Sequence, residues 1–280
     1  MIRKLLNGFT LLKVFDLMKC GFTLLFIQKF TSTLIVLRDA DSLLNLNIEK
    51  LKSPHKKIDF KSNKWTFYFL DQIEIDLLEK FQENCNIPKL RNYAKVEVGI
   101  TTGSNPFFTV PLSTVQNYSM EEYSKPLVGR SVQVPSTIFT EKYRKENKKN
   151  QARTHLLVFS KMSELNNSEG ARKYIKLGEE QEINKGYKCG IRDEWQIVPS
   201  IRISEALFIR RNNKYPKLII NEAQAYTTDT MHRVTIKYGI DIKAFTANYY
   251  NSHSLDFTEI CGRSHGGGVL ELMPNEVEEI

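Results

Sequence analysis

From Lys95 onward the chain consists of short apolar stretches separated by glycine, proline, asparagine and serine. No other feature constrains the fold as tightly. The stretches include Val96 to Ile100, Phe107 to Val110, Leu156 to Phe159 and Trp195 to Val198. Leu207 to Ile209, Leu218 to Ile220 and Val234 to Ile236 continue the series. Many short strands joined by irregular loops define a mixed, β-rich domain. Two short helices are expected after them, at Asp241 to Asn251 and Ser252 to Cys261. Gly262 is the expected stop of the second, because glycine accepts the left-handed conformation common at helix ends. The fold class expected is α+β, a β-rich domain with a few short helices.

Upstream the pattern differs. Leu11 to Leu44 reads as strand, turn, strand, turn, strand, with breaks at Gly21 and at Thr31-Ser32. Phe22 to Ile27 and Thr33 to Leu37 are β-branched and aromatic enough to be buried strands. Lys13, Asp16, Lys19, Gln28 and Lys29 interrupt this region. A spanning helix needs roughly 20 mostly apolar residues in a row, and a secretory signal needs an unbroken apolar centre. Neither is met. Lys50 to Asn63 is polar, basic and proline-containing, and reads as a linker. A helix is expected from Asp71 to about Gln82, opened by Asp71 with Glu74 three residues on. Its expected buried face is Ile73, Leu77, Leu78 and Phe81, with Asn84 and Pro88 ending it.

The charge balance is 40 basic to 32 acidic residues, a net +8. That excess favours polyanionic partners through counterion release. Lys142, Arg144, Lys145, Lys148, Lys149 and Arg153 crowd the stretch Glu141 to Arg153. It is either a solvated basic helix or a loop that reaches phosphates. Cys20, Cys85, Cys189 and Cys261 lie far apart, as do the five histidines. The spacing offers no zinc site, and free thiols in a reducing cytosol are expected.

Four stretches could carry chemistry. Val98 to Phe108 contains Asn105-Pro106-Phe107-Phe108. DNA amino-methyltransferases use Asn/Asp/Ser-Pro-Pro-Tyr/Phe to accept hydrogen bonds from the target amine and to stack on the flipped base. Only one of the two prolines is present here, and no glycine-rich turn after a strand lies upstream to cradle a nucleoside cofactor. The alternative is a turn with an aromatic anchor. Tyr187 to Pro199 interleaves aromatics with Lys188 and Arg192, which suits phosphates and bases or a core aromatic at Trp195. Asn221 to Arg233 is dense in residues that read base edges, though a turn-rich surface loop has the same composition. Gly262 to Leu270 places Gly266, Gly267 and Gly268 beside Arg263 and His265. It is either a phosphate-holding backbone or a tight helix-to-strand connection.

Taken in order, these stretches resemble the C-terminal part of bacterial adenine-specific DNA methyltransferases of restriction–modification systems. The group is the one with the cofactor domain first. Val98 to Phe108 is similar to the pattern Val-Gly-Ile-Val-Thr-Gly-x-Asn-x-Phe-Phe. Tyr187, Lys188, Arg192 and Trp195 follow Tyr-Lys-x-x-x-Arg-x-x-Trp. Asn221 and Ala223, then Thr228 to Thr230, His232 and Arg233, follow Asn-x-Ala and Thr-Asp-Thr-x-His-Arg. Asn251, Ser252, Glu259, Gly262 to Gly268 and Leu270 follow the last pattern.

The resemblance implies three parts: residues 1-49 as terminal strands of a methyltransferase domain, 50-90 as linker and connecting helix, and 91-280 as a target-recognition domain. It makes Asn105 to Phe108 a recognition-domain turn and places the cofactor pocket and Asn-Pro-Pro-Tyr motif upstream of Met1. The implied partners are double-stranded DNA and a catalytic half, with no membrane. S-adenosylmethionine is expected in the complete enzyme and not in this chain, and the location implied is cytoplasmic. The residues expected at DNA are Thr102, Gly103, Asn105, Lys188, Arg192, Asn221, Thr228, Thr230, His232, Arg233, Arg263, Gly266 and Gly267. Two other functions stay open: a stand-alone methyltransferase using Asn105 to Phe108, and an RNA-binding or scaffolding protein.

Overall fold

The computed structural model describes residues 10–17, 21–28, 31–37, 70, 72–84, 87–165, 168–265 and 268–280. The expected linker at Lys50 to Asn63 lies outside them. Strands β1 (Thr10–Leu17), β2 (Gly21–Gln28) and β3 (Thr31–Leu37) form an antiparallel meander. The expected breaks are corrected: Gly21 and Thr31 are the first residues of β2 and β3, paired with Leu17 and Gln28, and Ser32 pairs with Ile27. Helix α1 spans Gln72–Asn84. Its expected inner face is corrected: Ile75 is buried, whereas Ile73 and Leu77 are 79% and 54% exposed. Periodicity identifies an apolar stripe, but the neighbours decide which side is covered. The side chain of Phe81, and Asp71 itself, lie outside the described residues.

The chain continues through α2 (Leu90–Tyr93), β4 (Ala94–Val98), α3 (Asn105–Phe108), β5 (Thr109–Val110), α4 (Leu112–Asn117) and β6 (Ser124–Val128). Then come α5 (Glu141–Lys149), β7 (His155–Leu157), α6 (Glu169–Glu180), α7 (Tyr187–Gly190), β8 (Ala206–Ile209), β9 (Arg211–Asn212) and β10 (Leu218–Ile220). The last elements are β11 (Tyr226–Thr227), β12 (Met231–Ile236), α8 (Ile242–Tyr249), α9 (Ser252–Cys261), β13 (Arg263–His265), β14 (Val269–Glu271) and α10 (Pro274–Val277).

The fold is α+β. Its central sheet is antiparallel, in the order β10-β8-β12-β4. Both faces are covered. Ala206, Phe208 and Val234 pack with Tyr249, Leu272 and Val277, while Leu207, Ile209 and Met231 pack with Val128, Val134 and Phe139. Two covered faces explain why β8 is apolar at every position instead of alternating. A second sheet, β11-β6-β7-β5, borders a third cluster around Phe107, Phe108, Leu156 and Tyr174. A small sheet, β13-β14-β9, closes the C-terminal end.

Most expected strands appear, with two corrections. Only Thr109–Val110 of the Phe107 to Val110 stretch is strand; Asn105–Phe108 is a helical turn. Pro106 favours this, since its fixed φ suits the first helical positions. Trp195 to Val198 forms a turn, in which the Ile197 N–H donates to the Glu194 carbonyl at 3.0 Å, and Pro199 follows. The C-terminal helices lie where expected, capped by Asp241 and Asn251, whose side chains accept from the N–H groups of Ala244 (2.7 Å) and Ser254 (2.9 Å). Gly262 ends α9 for another reason than expected. Its φ is −77°, and a Cβ there would lie 2.4 Å from Leu270 Cδ1. Space, and not handedness, requires the glycine. Among the described residues no helix is long and apolar enough to cross a membrane.

Candidate nucleic-acid interface

Two of the singled-out stretches are zipped together. The Gly99 N–H donates to the Met231 carbonyl (3.1 Å), Ile100 N–H to Thr227 (2.8 Å), and Asp229 N–H to Ile100 (3.1 Å). A Cβ on Gly99 would lie 2.0 Å from the Thr228 carbonyl oxygen, so only glycine permits this approach. Side chains continue the seam. The Thr102 hydroxyl donates to Asn105 Oδ1 (2.7 Å), and Asn105 Nδ2 donates to Asp229 Oδ1 (2.9 Å).

The turn Asn105–Phe108 faces inward. Phe107 and Phe108 are 4% and 0% exposed. Phe107 stacks on Tyr174 with centroids 4.7 Å apart and packs on Trp195 at 5.4 Å. The Tyr174 hydroxyl donates to the Phe107 carbonyl at 2.8 Å, and burial pushes that phenol up to about 12. Neither aromatic is available to stack on an extruded base, and the Asn105 amide is already engaged. This arrangement fits an anchored turn and opposes a catalytic motif.

The Tyr187 to Trp195 stretch backs the same turn. Gly103 sits at φ +90°, and a Cβ there would meet Cys189 Sγ at 2.6 Å. Arg192 is half-buried, donating to the carbonyls of Thr101 (3.1 Å) and Trp195 (3.2 Å). Its guanidinium therefore ties the two stretches together. Lys188 stays exposed, with its ammonium 5.5 Å from the centroid of the Tyr187 ring.

Five residues expected at DNA are buried: Thr102, at 1% exposure, and Asn221, Thr228, His232 and Arg233. Asn221, 1% exposed, donates to the carbonyls of Ser204 (2.9 Å) and Ala225 (2.8 Å) and accepts from the Ala225 N–H (3.1 Å). His232 is fully buried and its Nε2 donates to the Leu272 carbonyl at 2.7 Å. Burial pushes that imidazole below its ordinary range, despite the hydrogen bond to Leu272. Arg233 is buried, donates to the Ser200 carbonyl (2.8 Å), and has its pKa lowered by burial and by Arg202 nearby. Thr228 is buried within hydrogen-bond distance (3.1 Å) of the Thr230 hydroxyl, while exposed Thr230 donates to the Gly129 carbonyl (2.9 Å). Arg263 is exposed and pairs through Nε with Glu276 at 2.9 Å. Gly266 and Gly267 lie outside the described residues.

Around Asn105, Asp229 and Thr230 opens a cleft of about 400 Å³. Its other walls are Gly129, Arg130, Ser131 and Ile209 to Arg211. Arg211 Nε donates to Glu271 Oε1 at 3.0 Å, Arg210 Nε lies 2.9 Å from the same oxygen as an ion pair without making a hydrogen bond, and His265 Nε2 lies 2.8 Å from the other carboxylate oxygen. Burial pushes the Glu271 carboxyl up; the hydrogen bonds from Arg211 and His265 and the charges of both arginines outweigh this and leave it below the usual range. Sequence reasoning missed both arginines and the Gly129 to Gln133 turn. The paired arginines directly after Leu207 to Ile209 were a readable signal. Nothing marked Gln133, whose role depends on distant backbone. Within the basic stretch, Glu141–Lys149 forms helix α5, which has no buried residue although Tyr143 packs against the cluster of Val128, Val134 and Phe139, and Arg153 lies beyond the helix.

An α+β fold with an arginine-lined cleft over a buried aromatic turn thus joins the singled-out stretches. Residues 62–280 match the model of the Type II methyltransferase M.Eco57I C-terminal domain, and the chain belongs to that family. It is also 27% identical over 221 residues to the Type II methyltransferase M.AccI of Acinetobacter calcoaceticus. That similarity covers 77% of this chain and 39% of the relative, so the chain spans well under half of that protein.

Proposed function

We propose that this chain recognises the DNA site of an adenine-specific methyltransferase in a restriction–modification system. In this reading a separate catalytic half holds S-adenosylmethionine and the target adenine, and the assembly works in the cytoplasm. Family membership supports a methyltransferase role. The observation that carries the recognition reading is the cleft, where Arg130, Arg210 and Arg211 stand beside Ser131 and Thr230. Guanidinium and hydroxyl groups are the donors that meet phosphates and base edges. The inward packing of Phe107 argues against methyl transfer by Asn105 to Phe108 alone.

The test is binding of the full chain to duplex DNA, to RNA and to S-adenosylmethionine across a salt series. Duplex binding whose logarithm falls linearly with the logarithm of salt, without cofactor binding, is expected. Cofactor binding by the chain itself, or equal affinity for RNA, would overturn the reading.

A further inference from the structure

The turn Gly129 to Gln133 is built more rigidly than a connection needs. Gln133 is 4% exposed, and its Oε1 accepts from the N–H groups of Gly129 (2.8 Å) and Arg130 (2.9 Å). Its Nε2 donates to the Arg153 carbonyl at 3.2 Å, and its own carbonyl accepts from Asn147 Nδ2 at 2.9 Å. Backbone bonds from Gln133 to Arg130 (3.0 Å) and from Val134 to Ser131 (3.1 Å) close the turn. Thr230 pins Gly129 from the other side. A buried amide with all its groups engaged fixes backbone that would otherwise keep its conformational freedom.

What the turn presents is the reverse of what it buries. Arg130, Ser131 and Val132 are exposed, Val132 by 79%, between fully buried Val128 and Val134. Arg130 lines the cleft together with Arg210 and Arg211. Those two are held by Glu271. Arg130 is in no ion pair among the described residues, which leaves its donors free for an outside acceptor. A rigid support is what a base-reading side chain requires, because positional error forfeits paired hydrogen bonds.

We infer that the Gly129 to Gln133 turn is a base-reading element. Arg130 presents its paired N–H donors to a guanine edge in the major groove, Val132 packs on a neighbouring thymine methyl, and Gln133 is the positioning residue. The inference rests on the recognition reading above and adds the residues that set the site.

The experiment is selection of duplexes from a randomised pool by the full chain and its variants, with affinity for a non-selected duplex measured alongside. The natural chain should enrich a motif containing guanine. Arg130→Ala should lose discrimination at that one guanine, by about 5- to 150-fold, and hold its affinity for the non-selected duplex within twofold. Arg130→Lys should fail to restore it, because an ammonium keeps the charge without the planar fork. Gln133→Ala should blur the same position, and Gln133→Glu should not recover it, because its second oxygen would face the Arg153 carbonyl in place of the donor Nε2. If Arg130→Ala weakens every sequence alike and lysine rescues it, Arg130 touches phosphate and the inference falls while the recognition reading stands. If Gln133→Ala leaves the guanine preference intact, Gln133 has no positioning role. A natural chain that retains no duplex at all overturns both the reading and the inference.

Discussion

Replacing Asn221 by alanine separates a structural role from a role at DNA. The side chain makes hydrogen bonds at 2.9, 2.8 and 3.1 Å, all to backbone, in a site where Asn221 and Ala225 are each 1% exposed and Ser204 6%. A hydrogen bond adds about 0.5–1.5 kcal/mol net, and a buried group left unpaired costs about 1–3 kcal/mol. Asn221→Ala removes the bonds together and leaves the Ala225 N–H without its side-chain acceptor. The expected loss is therefore about 2–4 kcal/mol of unfolding free energy. Asn221→Asp is expected to be at least as damaging despite its matching shape. Its second oxygen would replace the donor Nδ2 and face the carbonyls of Ser204 and Ala225. Urea unfolding followed by far-UV circular dichroism measures both, as a shift in midpoint at constant slope. An Asn221→Ala chain within about 0.5 kcal/mol of the natural one, but unable to bind duplex DNA, would refute the reasoning. Asn221 would then be a contact and not a bracket.

Gly99→Ala forces a methyl group to within 2.0 Å of the Thr228 carbonyl oxygen and 2.5 Å of that of Met231. The seam must open, with a loss of at least about 1–3 kcal/mol; an unchanged melting temperature would mean that the two stretches are not zipped. Phe107→Ala removes a ring packed on Tyr174 and Trp195. A stability loss of about 3–5 kcal/mol is expected, and a fully stable variant would return Phe107 to the surface and revive base stacking. Burial, helped by the charges of Lys148 and Arg144, pushes the His155 imidazole down to about 4 from 6.5. The unfolded chain therefore binds the proton first as pH falls. The stability held by neutral His155 is complete above about pH 6.5 and drains away toward about pH 4. Unfolding measured across that window should fall less steeply in His155→Gln, and identical pH slopes would sink the assignment.

Much of the fold was legible because it rests on apolar patterning. Residues Ala206–Ile209 and Leu218–Ile220 are strands buried on both faces, and their unbroken apolar runs state that directly. The caps Asp241 and Asn251 mark helix starts by a local hydrogen bond, which adjacent residues suffice to form. Ile73 and Leu77 were misread because a helix carries its stripe in its own sequence but its neighbour in another segment.

The site was harder to read, and β12 shows why. A strand started at Val234 leaves His232 and Arg233 in a polar loop, where both would be natural partners for DNA. The strand begins at Met231. Alternation then assigns every side chain. His232 shares a face with Val234, whose cluster contains Leu272, and reaches the Leu272 carbonyl. Arg233 shares the other face with Met231 and reaches Ser200. Misplacing a strand boundary by three residues thus converts internal brackets into apparent contacts. The error has a physical basis, because polar side chains satisfying buried carbonyls and polar side chains awaiting a ligand are the same residue types. Only the direction of the side chain separates them, and direction is set by register with strands far away in sequence. By that criterion Thr102, Asn221, Thr228, His232 and Arg233 are turned into the protein, and the polar groups left facing outward are those of Arg130, Arg210, Arg211 and Thr230. Their side chains line open space, and the buried groups behind them, Gln133 and Glu271, account for how they are held there.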